Sequence, residues 1–216
     1  PFEKYRETRR ALLREGLLGT DDLHESPAAT REQLLRAHAA EFVDDFLAGR
    51  LDAAHQRRIG FPWCVELVER CLVSAGGTVA AAWHALEHGG AGHLAGGTHH
   101  AHRDRAAGYC VFHDLAVAAM DLIAAGKAKR VLIVDLDVHH GDGTATIFAD
   151  EPRVFTLSVH GAGNFPKEKP PSDLDIALPD GTTDLAYLAS VDAALAQAFE
   201  RSNPDFVFYQ AGVGPL

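Results

Sequence analysis

Three short apolar runs, separated by segments of helical periodicity, constrain the fold of this chain more than any other feature. The runs cover residues 130–135, 154–159 and 205–209, and the first contains four consecutive apolar side chains rich in β-branched types. Such runs are typical of strands that are buried on both faces, as in a parallel sheet. Helices on the connections between them would form βαβ units. We therefore predict an α/β fold with a mainly parallel sheet flanked by helices.

The predicted helices have apolar side chains at three- and four-residue spacing. They cover residues 27–48, 64–87, 114–125 and 184–201. Gly49 follows the first of them as a typical helix stop, whereas Gly76 and Gly77 weaken the middle of the second. The glycine-rich segment 88–97 has no apolar period, and we predict a loop there.

Composition limits the class of protein. The 216 residues include 20 Lys and Arg against 30 Asp and Glu, which gives a formal net charge of −10, and 47% are hydrophobic. This length and composition predict a single globular domain over residues 1–216. An acidic chain without a Lys/Arg run is not expected to bind nucleic acid, and no apolar stretch reaches the ~20 residues that span a bilayer. The three cysteines form no CxxC pair, which favours a cytoplasmic location.

Histidines are unevenly distributed, because a large share of the 13 lies between residues 93 and 140. In a parallel sheet the carboxyl ends of the strands meet at one edge, and ligands bind there. Polar and glycine-rich segments follow all three predicted strands, at residues 135–143, 160–164 and 210–214. We therefore expect a functional site at this edge of the sheet.

The first of these segments contains Asp135-x-Asp137-x-His139, in which alternate residues point to one side if the chain stays extended. Two carboxylates and an imidazole suit a catalytic zinc ion, which takes about three protein ligands and leaves a position for water. The alternative interpretation is that Asp135 and Asp142 cap the following turn while the histidines lie on the surface.

A second cluster contains the adjacent residues His99 and His100. Paired imidazoles beside a metal can remove a proton from water and later protonate an amine, provided that acidic partners orient each ring. Asp135 and Asp142 are the candidate partners. A buried histidine pair bonded only to backbone carbonyls remains the alternative, and we assign no catalytic role to His93 or His102.

Taken together, the segments 96–101, 108–114, 134–143 and 209–213 resemble the histone deacetylase superfamily, in its bacterial and class IV-like branch. The resemblance extends from about residue 31 to the end of the chain. It implies an arginase/deacetylase-type α/β fold and a zinc amidohydrolase. The implied substrates are acetylated lysine, polyamine or another small N-acyl amine.

The resemblance also implies roles for individual residues. Two residues match family zinc ligands, two match the paired acid/base histidines, and two match the carboxylates that orient them. Three more match substrate-binding residues, of which the two aromatic ones form the walls of an acyl-lysine tunnel. A structural potassium site is implied at Asp135 and the backbone near Ser158, and core packing is the alternative for the two aromatic wall residues. The implied zinc ligands are Asp137 and His139, and the implied acid/base pair is His99 and His100. The implied orienting carboxylates are Asp135 and Asp142, and the implied substrate-binding residues are Gly108, Tyr109 and Phe165.

The sequence departs from the family pattern at Gly214, which stands where the family has its third zinc-ligand aspartate. Glycine has no side chain to donate. The chain also ends directly after a strand-like segment, before any counterpart of the family's transition-state tyrosine, so we expect it to be incomplete at the C-terminus. We predict negligible deacetylase activity for these 216 residues. A non-catalytic acyl-lysine or polyamine-binding pseudoenzyme and an arginase-like ureohydrolase with two manganese ions are the alternatives.

Overall fold

The structure of the chain, a computed structural model, describes residues 3–212. Gly214 lies outside the described residues. The N-terminal half is helical, and the four strands lie in the C-terminal half, where a helix precedes each of β1, β2 and β4, and β3 follows β2 directly. The helices are α1 (Glu3–Arg14), α2 (Arg31–Leu35), α3 (Ala40–Leu47), α4 (Ala53–Ile59), α5 (Val65–His88), α6 (Asp114–Ala124), α7 (Asp142–Phe148) and α8 (Asp184–Ser202), and the strands are β1 (Val131–Asp135), β2 (Val154–Gly161), β3 (Leu174–Leu178) and β4 (Phe206–Gln210).

The four strands form one parallel sheet in the order β3-β2-β1-β4. The predicted α/β fold with a parallel sheet is thereby confirmed. Asp135, the last residue of β1, pairs in register with Ser158 of β2 and Gln210 of β4. The carboxyl end of the central strand pair therefore places these polar residues side by side at one edge of the sheet.

Strand β1 belongs to two hydrophobic cores, one on each face of the sheet. Val131 and Ile133 pack with α5 and α6 on one face, and Leu132 and Val134 pack with α8 on the other. This alternation follows from the two-residue period of a strand. All five residues of β1 are buried, which explains why its sequence is a continuous apolar run.

The predicted helix over residues 27–48 is wrong, because the structure breaks it into α2 and α3. Between them, His38 turns into the core, where its Nδ1 lies 2.9 Å from the carbonyl oxygen of His102. The amide of the next residue, Ala39, donates to the carbonyl oxygen of Arg103 at 2.8 Å. These two bonds tie the break between the helices to the segment that follows His99 and His100.

Helix α5 has the predicted extent within one residue at each end, and it tolerates Gly76 and Gly77 for a steric reason. A Cβ atom at Gly76 would overlap the backbone at Pro27 and Ala29. The glycine therefore allows the segment before α2 to lie directly against α5. None of the helices within residues 3–212 combines the length and apolar character needed to cross a membrane.

Candidate active site

The residues predicted from the sequence meet at the carboxyl edge of β1. The segment after β1, residues 136–141, approaches the turn that contains His99 and His100. Strand β1 ends at Asp135, and its carboxylate Oδ1 accepts the amide hydrogen of Asp137 at 3.0 Å. The carboxylate Oδ1 of Asp137 in turn accepts the amide hydrogen of His139 at 2.8 Å. The segment is therefore not extended, because two successive aspartate turns curl the chain.

These turns direct the side chains of Asp135, Asp137 and His139 to two different contacts. Asp135 points its other oxygen, Oδ2, at His99. Asp137 and His139 instead approach each other, with Asp137 Oδ1 2.8 Å from His139 Nδ1. Asp137 is buried, whereas the His139 side chain is 42% exposed. The pair therefore lies where the buried edge of the sheet opens to solvent.

His99 and His100 each form a short hydrogen bond with a different buried carboxylate. His99 Nδ1 lies 2.6 Å from Asp135 Oδ2, and His100 Nδ1 lies 2.6 Å from Asp142 Oδ1. Because an ionised carboxylate only accepts, each Nδ1 carries the hydrogen and each neutral ring keeps an unprotonated Nε2. The ring centroids are 4.1 Å apart, and His99 Nε2 lies 3.9 Å from Asp137 Oδ1. Two oriented imidazoles therefore border the Asp137–His139 pair.

The surroundings shift the pKa values of the two imidazoles in opposite directions. Burial alone would lower the pKa of His99, but the charge and hydrogen bond of Asp135 outweigh it and raise that pKa. Burial lowers the pKa of His100, and the hydrogen bond that His100 donates to Asp142 does not fully offset the effects of burial and of the neighbouring His99. Neighbouring groups with divergent pKa values are typical of sites that move protons.

Sequence reasoning assigned no role to His102, yet this residue contacts the same carboxylate as His100. His102 Nε2 lies 3.1 Å from Asp142 Oδ2, while its Nδ1 receives Arg105 Nη2 at 3.2 Å. Burial would raise the pKa of Asp142, but the bonds from His100 and His102 lower it well below its usual range. The sequence contains no pattern that distinguishes this histidine from a surface one.

Asp114, the first residue of α6, holds the turn with the two histidines through hydrogen bonds. Its buried carboxylate accepts the amide hydrogens of Gly97 at 3.0 Å and Thr98 at 2.9 Å. The hydroxyl of Thr78, on α5, donates to the same carboxylate at 2.7 Å and also lies 2.9 Å from His93 Nδ1. His93 therefore belongs to the support of the turn.

Two of the three predicted substrate-binding residues, Gly108 and Phe165, lie against His100. A Cβ atom at Gly108 would overlap the His100 ring, so this glycine permits close approach. The Phe165 ring stands edge-on to His100 with centroids 4.8 Å apart. Tyr109 packs on Phe61 at 5.2 Å and is 68% exposed, and Phe165 is 48% exposed. Because both aromatic rings reach solvent, the alternative that they are core residues is wrong.

The donor atoms at the centre of the site fit a zinc ion. A carboxylate oxygen and an imidazole nitrogen are both zinc ligands, and those of Asp137 and His139 already lie within 2.8 Å of each other. Gly214, at the position where the family has its third zinc ligand, is outside the described residues. The potassium site is implied at Asp135 and the backbone near Ser158, and the side-chain Oγ of Ser158 lies 3.0 Å from His160 Nδ1.

Comparisons with known proteins agree with this architecture. The family model described as histone deacetylase domain matches residues 1–216. An uncharacterized protein of Picosynechococcus sp. is 44% identical over 213 residues, which are 99% of this chain and 71% of that protein. Histone deacetylase clr6 of Schizosaccharomyces pombe is 32% identical over 211 residues, covering 87% of this chain and 51% of that protein.

Solved structures show the same likeness. An HDAC homolog from Aquifex aeolicus superposes with a TM-score of 0.81 and 27% identity, covering 93% of this chain and 60% of that one. A structure of an HDAC homolog complexed with SAHA gives the same values. The fold is therefore an arginase/deacetylase-type α/β fold, with paired histidines at the carboxyl edge of the sheet. The chain belongs to the histone deacetylase domain family, and it spans about half to two thirds of the length of most of these relatives.

Proposed function

We propose that this protein is a zinc-dependent deacylase that hydrolyses the amide bond of acetylated lysine, an acetylated polyamine or another small N-acyl amine. The observation that supports it best is the pair of buried dyads, His99–Asp135 and His100–Asp142, beside the donors of Asp137 and His139. Family membership supports the same reaction class. We also propose that residues 1–216 form one domain. We propose a cytoplasmic location, which the free thiols of the cysteines support.

The two dyads divide the proton transfers. His100, whose pKa is lowered, accepts the proton of the attacking water at Nε2, and Asp142 stabilises the resulting imidazolium through Nδ1–H. His99, whose pKa is raised, holds a proton that it gives to the departing amine. When bound by Asp137 and His139, zinc supplies Lewis acidity toward the acyl carbonyl and makes water more acidic.

The side chains at the opening suit an acylated lysine. Tyr109 and Phe165 present exposed aromatic faces, and Phe165 touches the ring of His100. Such faces bind the methylene groups of an extended lysine side chain while its polar ends remain hydrated. The negative net charge of −10 suits a substrate with further positive groups, as in a lysine-rich peptide or a polyamine.

The arginase-like alternative requires carboxylates that are shared between two metal ions. Both oxygens of Asp135 are already used, since Oδ2 binds His99 and Oδ1 accepts the amide hydrogen of Asp137. This arrangement favours a site for one ion over a site for two. A potassium ion at Asp135 and the backbone near Ser158, which the family resemblance implies, remains part of the proposal as a structural cofactor.

We propose further that Gly214 impairs this chain, because a glycine cannot provide the third side-chain ligand. The substitution Gly214→Asp is expected to raise zinc affinity roughly tenfold or more, as an added charged ligand does. Isothermal titration calorimetry measures the change. The gain must disappear in the double variant G214D/D137N if both residues bind the same ion, and an unchanged gain would contradict this ligand assignment.

Acetate release and peptide binding together test the reaction. We expect negligible release from an acetyl-lysine peptide by the chain with Gly214. G214D should give only slow, zinc-dependent release, since it restores a zinc ligand but not the tyrosine donor of the family. His100→Ala in the G214D background should reduce that release by about a hundredfold or more. Binding of the acetylated peptide in preference to the unmodified one, without release by any variant that holds zinc, would support the pseudoenzyme alternative. Absence of both binding and release would contradict both functions.

A further inference from the structure

A second group of metal-binding side chains lies outside the candidate active site, between β2, β3 and the segment after β1. It consists of His140, His160 and Asp175. Each of these residues offers one ligand atom, and the three atoms lie within 4.8 Å of one another. Neither the proton transfers described above nor the Asp137–His139 pair uses any of them.

The two imidazoles of this second cluster are buried, and the carboxylate opens to solvent. His140 is completely buried and His160 is 3% exposed. Their rings meet at right angles with centroids 4.7 Å apart. His140 Nε2 lies 3.2 Å from Asp175 Oδ1, and the Asp175 side chain is 31% exposed. An ion can therefore reach the cluster from the side of Asp175.

The hydrogen bonds around the cluster leave ligand capacity unused. His140 Nδ1 is buried and has no hydrogen-bond partner within the described part of the chain. A buried polar atom without a partner is costly, so His140 keeps unused capacity to bind a further group. The hydroxyl of Ser158 occupies His160 Nδ1 at 3.0 Å, which leaves His160 Nε2 for a further ligand.

Hydrogen bonds also fix the position of the Asp175 carboxylate. Asp175 Oδ2 accepts the amide hydrogen of Ser172 at 2.8 Å, while Oδ1 faces His140. Hydrogen bonds that fix the outer atoms of ligand side chains are typical of metal sites. The nearby ammonium group of Lys169 is turned toward the loop and donates to the carbonyl oxygens of Asn164 and Pro166.

We propose that His140, His160 and Asp175 form a second cation site that binds a late first-row divalent ion, with zinc as the best fit. Two imidazoles and one carboxylate are a preferred ligand set for such ions and leave a position for water. Magnesium and calcium prefer oxygen ligands and do not match this set.

An ion in this site would join three parts of the molecule. Asp175 belongs to β3, the edge strand of the sheet, and His160 belongs to β2. His140 lies in the segment after β1, and its backbone amide donates to the carbonyl oxygen of Phe165 at 3.1 Å. The bound ion would therefore stiffen the loop with Phe165 as well as the edge strand.

Zinc titrations of the 216-residue chain test the site by calorimetry. The variants Asp175→Asn and His160→Gln are expected to lower the affinity for this zinc ion about tenfold or more. Each replaces a ligand side chain with a neutral side chain of similar size that binds zinc poorly. The matched control Asp180→Asn changes an exposed acid just beyond β3 and should bind zinc as the unmodified chain does. The variant Asp137→Asn should retain this ion, because Asp137 belongs to the other site.

A second measurement keeps the test independent of how well the variants fold. Zinc added to the unmodified chain should shift the imidazole nitrogen resonances of His140 and His160 in NMR spectra. The proposal is overturned if zinc leaves both rings unshifted, or if D175N and H160Q bind zinc as tightly as D180N does. It is also overturned if D137N removes all zinc binding. That last result would leave the proposed deacylase site intact, so the two proposals fail separately.

Discussion

At the scale of single residues, hydrogen-bond partners decide the protonation states of the buried histidines. His38 illustrates this, because both of its ring nitrogens bond to backbone groups. Nδ1 faces the carbonyl oxygen of His102, which only accepts, and Nε2 receives the amide hydrogen of His113. The neutral ring with hydrogen on Nδ1 satisfies both partners, whereas a second proton on Nε2 would break the bond to His113.

This arrangement predicts acid sensitivity of the fold. Burial lowers the pKa of His38 from its ordinary 6.5 to about 4. Between these two values the unfolded chain binds more protons than the folded one, so the free energy of unfolding decreases as the pH falls. From about pH 7.5 to about pH 5, His38 should account for a loss of about 2 kcal/mol. Urea unfolding of the unmodified chain and of His38→Gln measures the difference.

Glutamine retains a neutral donor and acceptor, so H38Q should lose less stability over this interval than the unmodified chain does. His88→Gln, at an exposed position of α5, is the control and should follow the unmodified chain. An equally steep loss in H38Q would show that other groups cause the acid sensitivity.

Sequence reasoning identified the residue types of the candidate site better than their connections. It proposed Asp135 and Asp142 as the partners of the two adjacent histidines, and the structure pairs His99 with Asp135 and His100 with Asp142. It did not find that His102 bonds to Asp142, because this contact depends on a turn that no residue pattern specifies.

At the scale of helices and strands, the predictions succeeded where apolar residues form a continuous run or follow a clear helical period. Strand β1 and helices α5, α6 and α8 lie close to their predicted ranges. Strand β3 was missed, because this edge strand alternates between half-buried and exposed residues and follows a proline-rich loop. The helix predicted over residues 27–48 was interrupted by the backbone bond of Ala39 to Arg103, a tertiary contact that periodicity cannot reveal.

Helix α6 positions the turn with His99 and His100 through Asp114. Burial would raise the pKa of Asp114, but hydrogen bonds from Thr98 and Thr78 lower it, so the folded state holds the charged form. Asp114→Asn replaces one accepting oxygen with an amide group that faces hydrogen-bond donors. The free energy of unfolding should fall by about 3 kcal/mol in urea titrations. Asp184→Asn, at the exposed first position of α8, should cost less than about 1 kcal/mol.

In helix α5, close packing is expected to reverse the usual effect of replacing glycine with alanine. Replacing a helical glycine with alanine usually stabilises a helix by about 1 kcal/mol. Gly76→Ala should instead destabilise the chain by about 1–3 kcal/mol, because the added Cβ overlaps the backbone at Pro27 and Ala29. Thermal unfolding measures the change. Gly90→Ala adds the same atom where nothing lies within 4 Å and should be nearly neutral, so a stable G76A chain would contradict the close packing.

At the scale of the whole molecule, the two hydrophobic cores share β1. Val131 and Ile133 belong to the core that includes the indole rings of Trp63 and Trp83, and Leu132 and Val134 belong to the core under α8. A strand that contributes alternate side chains to both cores cannot lose one set of contacts without disturbing the other. We therefore expect the two faces of the sheet to unfold in a single cooperative step.

This coupling makes the two tryptophans reporters of the opposite face. Val191→Ala removes buried methyl groups from α8 and should cost about 1–3 kcal/mol. The tryptophan fluorescence of Trp63 and Trp83 and the far-UV circular dichroism should then move to the same lower urea midpoint. Leu188→Ala, at a position of α8 that is 56% exposed, should shift neither signal by a comparable amount. If V191A moved the circular dichroism midpoint and left the fluorescence midpoint in place, the two cores would be independent, and β1 would not couple the face under α8 to the face that supports His99 and His100.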